Sequence, residues 1–276
     1  TPNTISIVTQ HLAIIKQNSI DRLLAIMSQL RDSENGCEWD KEQTFKSIAP
    51  HTIEEAYEVV DAIDREDVSD LKEELGDLLL QVVFLSQIAS EDNLFSFADV
   101  AESISDKLVR RHPYVFSKKQ EHKSEDQINQ WEEIKQNERA QKNQNGALDG
   151  IANNLPALKR SQKLQNRAAK VGFDWPNTEG ILNKIKEETC EIEEAIKGKD
   201  LGSIKEEIGD LLMIITNLSQ KLGIDSEDAL KSSNNKFINR FRYIEEKLKE
   251  NNKEVSEVNL EELDSLWDES KKFKIE

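Results

Sequence analysis

The chain has 276 residues, with 37 Lys and Arg against 54 Asp and Glu, and so a formal net charge of −17 at pH 7. This length suggests about two domains, and the few glycines (10) and prolines (5) favour helices joined by short loops over a β-sandwich or a collagen-like chain. The acidic balance argues against a protein that coats polymeric nucleic acid, because such proteins need clustered positive charge.

Apolar residues at helical spacing predict a run of helices along the first half. Ser19 is expected to cap the first helix, which ends near Leu30, and a polar loop with Trp39-Asp40 follows it. The next helices are predicted at residues 52–64, 68–90, 98–111 and 126–139. The apolar positions of the 52–64 helix, expected to face the core, are Ile53, Ala56, Val59, Val60 and Ile63.

A polar stretch rich in Asn and Gln follows these helices and contains Gly146 and Gly150. Such a composition is typical of a connection between domains. We therefore predict an N-terminal extension over residues 1–18, a first helical domain over 19–140, a linker over 141–155 and a second helical domain over 156–276.

Two acidic segments recur at a constant spacing of 133 residues. The sequence EEAYE at 54–58 is matched by EETCE at 187–191, and KEELGDLL at 72–79 is matched by KEEIGDLL at 205–212. A register held without a gap across both segments is typical of a duplicated unit. The sequence thus predicts an all-α fold of two homologous halves.

Each half contains two pairs of acids at i and i+3, which place both side chains on one face of a helix. A turn centred on residue 66, or on residue 199 in the second half, would make the two helices antiparallel and bring the two pairs level. Four carboxylates are then expected to converge in each half. These acids are Glu55, Glu58, Glu74 and Asp77 in the first half and Glu188, Glu191, Glu207 and Asp210 in the second.

Converging carboxylates need a compensating positive charge, since two like charges at about 4 Å repel by about 4 kcal/mol at an effective dielectric constant of about 20. Ligation by oxygen alone favours a hard cation, Mg²⁺ or Mn²⁺. A single acidic pair is usually only a solvated helix face. Its symmetric repetition in both halves favours a metal site.

Basic residues and tryptophans near the acids are candidates for binding a phosphorylated substrate, because Mg²⁺ is commonly shared with substrate phosphates. Basic pairs at i and i+4 can grip phosphate oxygens, although they also occur as ordinary surface charge. Tryptophan can stack on a base, although it more often packs in a core or lid. The candidates are Lys107, Arg111, Lys236 and Arg240, with Trp39, Trp131, Trp175 and Trp267.

The pattern EExxE followed by ExxD resembles the MazG family of nucleoside triphosphate pyrophosphohydrolases. The resemblance extends to IDRLL at 20–24, GCEWD at 36–40, RHP at 111–113 and VGFDW at 171–175, and covers about residues 19–273. Glu38 departs from the family, in which a proline commonly stands between the cysteine and the tryptophan. This departure affects a loop and none of the acids.

The resemblance implies a helical fold that dimerises to complete a four-helix-bundle-like site, and Mg²⁺-dependent hydrolysis of an NTP or dNTP to the monophosphate and pyrophosphate, as in housecleaning of the nucleotide pool. It implies that the eight acids are metal ligands and that Lys236 and Arg240 grip the triphosphate. Glu54 or Glu187 would position or deprotonate the attacking water. The resemblance also favours the second half as the main catalyst.

Acidic residues on helices also occur in two other classes of protein. A di-iron carboxylate protein needs Glu-x-x-His on its helices, and residues 8, 48, 109 and 119, three before each of the four histidines, are not acidic. A non-enzymatic helical module with an acidic docking surface stays open, and it predicts that Mg²⁺ supports no turnover.

The two cysteines indicate the compartment. Cys37 and Cys190 lie far apart and form no CxxC motif, which favours a reducing environment. The chain has no apolar run of the ~18 residues that a membrane span needs. We therefore expect a cytoplasmic protein without a membrane partner.

Overall fold

The computed structural model of this chain describes residues 18–116, 134–135, 138 and 146–272. Helices and turns make up these ranges, and no strand occurs in them, so the all-α prediction with two helical halves is confirmed. The chain divides into two compact units between Ile134 and Lys135. Residues 1–17, Trp131 and most of the helix predicted at 126–139 lie outside the described residues. Within the described ranges, no helix combines the length and apolar content needed to cross a membrane.

The first unit consists of short helices around one long hairpin. Its helices are α1 (Ser19–Leu30), α2 (Glu38–Glu42), α3 (Phe45–Asp64), α4 (Val68–Glu91), α5 (Phe97–Arg111) and α6 (Pro113–Phe116). The helices α3 and α4 form the hairpin, and α1 and α5 both pack against α4. A core of Met27, Ile48, Val83, Phe84 and Ile88 joins α1, α3 and α4.

Three details of the first unit differ from the prediction. Asn18, not Ser19, caps α1, because its side chain accepts hydrogen bonds from the amides of Ile20 and Asp21. The Trp39-Asp40 segment forms the short helix α2 instead of a loop. The helix α3 begins at Phe45, seven residues before the predicted start, because Thr44 and Ser47 form a capping box and the helix continues through Pro50.

The predicted core face of α3 is also wrong within the described structure. Ile53, Ala56, Val60 and Ile63 are exposed there, and only Val59 is half-buried. The buried residues of α3 are instead Ala62 and Ile48, and Ile48, in the part of the helix that the sequence pattern missed, joins the core of the unit. The hairpin therefore keeps an exposed apolar stripe, which the rest of its unit does not cover and which consists of Ile53, Tyr57, Val60 and Ile63.

The second unit repeats this hairpin. Its helices are α7 (Ala157–Lys170), α8 (Thr178–Gly198), α9 (Leu201–Lys221), α10 (Ser226–Glu250) and α11 (Leu260–Ser270), with a 3₁₀ turn at Val255–Glu257. The helices α8 and α9 form the hairpin, α7 packs against both α9 and α10, and α11 packs against α10.

Both hairpins turn at the residues that the sequence predicts. Glu66 has a φ of 55° and Lys199 a φ of 56°, so each adopts the left-handed conformation that ends a helix. The following residues, Asp67 and Asp200, cap α4 and α9 through their side chains. The two long helices of each hairpin are consequently antiparallel, which brings the acidic pairs level.

Candidate active site

Each hairpin brings three carboxylates together between its two helices. Within each group, one ligand oxygen of every acid lies within 4.8 Å of those of the others. The first acid cluster is Glu55, Glu58 and Glu74, and the second acid cluster is Glu188, Glu207 and Asp210. The fourth predicted acid of each half, Asp77 or Glu191, lies beside the cluster. Besides loss of hydration, the charge of Asp77 raises the pKa of Glu55, and the charge of Glu207 raises the pKa of Glu191.

The carboxylates of the first acid cluster disfavour one another's charge. Loss of hydration and the charges of Asp77 and Glu58 raise the pKa of Glu55, although Nε2 of the buried Gln81 donates to its Oε1 over 3.2 Å. Loss of hydration and then the charge of Glu58 raise the pKa of Glu74. Carboxylates with pKa values raised in this way form a site that a cation would stabilise.

The second acid cluster contains a buried acid and an ammonium. Glu188 is only 4% exposed. Its Oε1 lies 2.8 Å from Nζ of Lys184, whereas its Oε2 is buried and accepts no hydrogen bond from a described residue. Lys184 also pairs with Glu187 at 2.7 Å, and its Nζ lies 4.0 Å from Oε2 of Glu191. The hydrogen bonds to Glu187 and Glu188 raise the pKa of Lys184.

The two acids predicted to act on water lie one residue away from the clusters. Glu54 is exposed, and Nδ1 of His51 lies 3.5 Å from its Oε2. Glu187 is exposed as well and is held by Lys184. Each of these acids therefore adjoins a basic side chain one helical turn earlier.

A cavity of about 760 Å³ opens beside the second acid cluster. Lys184, Glu188 and Asp210 line one side of it. The other walls are mostly apolar and include Leu164, Phe173, Trp175, Met213 and Ile214. The polar members of those walls are Gln165, Asp174 and Asn217. A concave, mostly apolar chamber with few polar groups is typical of a small-molecule site.

The loop between α7 and α8 is held at this cavity by Lys221 of α9. Nζ of Lys221 lies 2.7 Å from Oδ2 of Asp174 and 2.6 Å from the carbonyl oxygen of Trp175. The hydrogen bond from Lys221 lowers the pKa of Asp174. Gly180 lets the indole lie close to α8, because a Cβ at this position would stand 2.5 Å from Cε3 of Trp175.

The other predicted substrate-binding residues lie on neighbouring helices. Lys236 and Arg240 are one turn apart on α10, which packs against α9. The guanidinium of Arg240 lies 5.4 Å from the ring centre of Trp267, so the structure brings these two together. Among the described residues, those that line the cavity include Trp175 but none of these three.

In the first unit the corresponding candidates are spread over two helices. Lys107 and Arg111 lie on α5, which packs against α4 and so against the helix that carries Glu74. Trp39 is exposed, and its ring meets the ring of Phe84 edge-on with centroids 6.4 Å apart.

The two hairpins differ at four equivalent positions near the acids. Each of these positions lies 133 residues from its counterpart. The pairs are His51 and Lys184, Gln81 and Ile214, Phe84 and Asn217, and Ile88 and Lys221. Phe84 and Ile88 belong to the core of the first unit, whereas Asn217 lines the cavity of the second. The place that is packed core in one unit is thus a polar wall in the other.

Sequence reasoning missed four residues of the second site: Lys184, Gln165, Asn217 and Lys221. Lys184 had a visible signal, because a lysine four residues before Glu188 lies on the same helix face. Asn217 and Lys221 could have been found by comparing the repeats, where a polar residue replaces a core residue. Gln165 had no such signal.

Comparison with known proteins gives the family. The family model described as the MazG nucleotide pyrophosphohydrolase domain matches residues 43–116 and again residues 177–244. A nucleoside triphosphate pyrophosphohydrolase of Escherichia coli K12 is 49% identical over 261 residues, which are 94% of this chain and 99% of that protein. A Thermotoga maritima protein named nucleoside triphosphate pyrophosphohydrolase/pyrophosphatase MazG is 42% identical over 251 residues, 91% of this chain and 95% of that protein.

Proposed function

This chain belongs to the MazG family of nucleotide pyrophosphohydrolases, and from that premise we propose that it hydrolyses nucleoside triphosphates, NTP or dNTP, to the monophosphate and pyrophosphate. The observation that carries the proposal is the second acid cluster, which adjoins a cavity of about 760 Å³. The phosphates of a nucleotide would lie at the acids and its nucleoside part in the chamber.

The acid clusters have the chemistry of a divalent metal site. They offer only carboxylate oxygens, the donors that Mg²⁺ and Mn²⁺ take. Oε2 of the buried Glu188 accepts no hydrogen bond from a described residue and so has a lone pair to give. Mg²⁺ held by Glu188, Glu191, Glu207 and Asp210, and by Glu55, Glu58, Glu74 and Asp77 in the first unit, would neutralise phosphate charge and lower the pKa of a bound water.

The remaining groups of the second site have separable roles. Glu187, or Glu54 in the first unit, accepts a proton from the attacking water or orients it, since each lies one residue from a proposed ligand. Lys236 and Arg240 bind phosphate oxygens, with Lys107 and Arg111 as their counterparts. Trp175 stacks on the base in the cavity, while Trp267 and Trp39 cover neighbouring surfaces.

We assign most of the activity to the second unit. Its cluster adjoins the cavity, and Lys184, Asn217 and Lys221 place polar or cationic groups around it. In the first unit the equivalents of Asn217 and Lys221 are the core residues Phe84 and Ile88. The first unit would therefore act as a weaker or structural site.

The assembly we propose is a homodimer. The exposed stripe of α3 consists of Ile53, Tyr57, Val60 and Ile63, whose exposed fractions range from 44% to 56%. Contiguous apolar residues at helical spacing are typical of a face that another helix covers. A second copy would supply the missing half of a four-helix bundle around the acids.

The cellular role we propose is removal of unwanted nucleotides from the cytoplasmic pool. The net charge of −17 disfavours polymeric nucleic acid as a partner. No membrane partner is part of the proposal.

The test is a panel of NTPs and dNTPs with pyrophosphate detection, in Mg²⁺, in Mn²⁺ and in EDTA. We expect metal-dependent release of pyrophosphate and the monophosphate, together with a rise in melting temperature on adding Mg²⁺. An acidic docking module would show neither effect. Release of orthophosphate in place of pyrophosphate would contradict the proposed reaction.

A further inference from the structure

Two amide oxygens in the wall of the cavity have no donor among the described residues. Oε1 of Gln165 on α7 and Oδ1 of Asn217 on α9 are buried, and neither accepts a hydrogen bond there. Both residues line the cavity beside the second acid cluster. A buried acceptor without a donor is unfavourable, so these oxygens favour an occupant that brings N–H groups.

Neighbouring acceptors fix the orientation of both amides. Nε2 of Gln165 donates to the carbonyl oxygen of Met213 at 2.7 Å and lies 2.9 Å from Oγ1 of Thr216. The side chain of Asn217 donates to the carboxylate of Asp174, which Lys221 holds in place. A flipped amide would place oxygen against oxygen in each case. Gln165 and Asn217 therefore present acceptors, and not donors, as their remaining groups.

Resting on the proposed function, we propose that Gln165 and Asn217 select the base of the nucleotide and favour cytosine and adenine. Both bases carry an exocyclic amino group, which brings the N–H donors that these oxygens lack. Uracil and hypoxanthine carry a carbonyl at the equivalent atom, which would turn lone pairs toward two acceptors. A site built to pair with N–H groups rejects an analogue that leaves its buried groups unpaired.

The selection belongs to the second unit. The residue equivalent to Asn217 in the first unit is Phe84, which lies in the core and has no hydrogen-bonding group. The rate of any turnover by the first unit would consequently not depend on whether the base carries an exocyclic amino group. Base preference and catalysis are thus expected to reside in the same half of the chain.

The experiment compares kcat/KM for pyrophosphate release from two matched pairs, CTP with UTP and ATP with ITP. We expect the wild-type chain to favour the amino-bearing member of each pair by about tenfold or more. Gln165→Met and Asn217→Leu should each bring the ratio toward one. The matched control is Gln162→Met on the same helix, because Gln162 donates to the carbonyl oxygen of Ile224 at 2.6 Å and is not among the residues lining the cavity.

Each outcome decides the inference. Equal kcat/KM within both pairs for the wild type overturns it, and so does a ratio that neither cavity variant changes. The wild-type ratios test the inference without any variant, so it stays falsifiable even if Gln165→Met or Asn217→Leu fails to fold. If none of the four nucleotides is hydrolysed, the proposed function fails, and calorimetry with CMP and UMP then tests the inference. Equal affinities for these two monophosphates would overturn it.

Discussion

Nζ of Lys184 lies 2.8 Å from Oε1 of Glu188, and this contact places an ammonium among the acids of the second acid cluster. A buried carboxylate is costly without such a partner. The equivalent His51 of the first unit pairs instead with Glu54, at 3.5 Å, and Glu54 lies outside its cluster. The second hairpin therefore contains a built-in positive charge that can hold the acids together before a metal binds.

We expect Lys184→Met to destabilise the metal-free protein and to enlarge its stabilisation by Mg²⁺. Removing the ammonium leaves the buried carboxylate of Glu188 without its charged partner, so the melting temperature should fall by several degrees. Added Mg²⁺ replaces the lost charge, so Mg²⁺ should raise the melting temperature of the variant by more than it raises that of the wild type. Melting curves in EDTA and in Mg²⁺ measure both effects.

The control for this variant is Lys186→Met, an exposed position on the same helix. It should melt like the wild type under both conditions. An equal Mg²⁺-induced shift for Lys184→Met and the wild type would contradict the role assigned to Lys184.

The assignment of activity to the second unit predicts unequal effects of one substitution made at two equivalent acids. Glu188→Gln should lower kcat/KM for pyrophosphate release by about 100-fold or more, because an amide cannot supply the charge that a metal ligand needs. Glu55→Gln should lower it by less than about threefold. Comparable losses in the two variants would show that both units contribute, contrary to the proposal.

The hairpins show how much of this site could be predicted from the sequence. The ungapped repeat fixed the register of the acids, and the turns lie at Glu66 and Lys199 as expected. When two helices are antiparallel and each has acids at i and i+3 near the same level, the positions of the carboxylates can vary little. Their approach therefore followed from the spacing alone. The same reasoning could have found Lys184, one turn before Glu188.

The cavity could not be predicted in this way. Its walls come mostly from α7, the loop after it, α8 and α9, and the contact that joins Gln165 to Met213 spans 48 residues. Periodicity describes one helix at a time and says nothing of such packing. The start of α3 was missed for a local reason. The capping box of Thr44 and Ser47 begins the helix earlier, and the helix continues through Pro50, a residue type that usually interrupts a helix.

The ion pair between Arg31 and Glu91 predicts a pH dependence of stability in the first unit. NH2 of Arg31 lies 2.6 Å from Oε2 of Glu91, and this hydrogen bond lowers the pKa of Glu91 from 4.5. A lowered pKa stabilises the fold above the unfolded value near 4.5, and the contribution is lost as the pH falls through the folded value.

We therefore expect Glu91→Gln to reduce the free energy of unfolding at pH 7 by about 1 kcal/mol, a modest value because solvent screens this partly exposed pair. The difference from the wild type should shrink as the pH falls below 4.5. Urea denaturation of both proteins across this range measures it. The matched control is Glu34→Gln in an exposed turn, and a difference that stays constant with pH would contradict the expectation.

The exposed stripe of α3 predicts the response of the assembly to a buried charge. If the stripe of one copy packs against that of another, Val60→Glu places an uncompensated carboxylate in the interface and costs several kcal/mol of association free energy. We expect a dimer for the wild type and a monomer for the variant at micromolar concentration, as measured by analytical ultracentrifugation. Leu94→Glu introduces the same charge at an exposed residue of the loop between α4 and α5, and should leave the dimer intact. A wild-type chain that sediments as a monomer, or a Val60→Glu variant that still dimerises, would refute this interface.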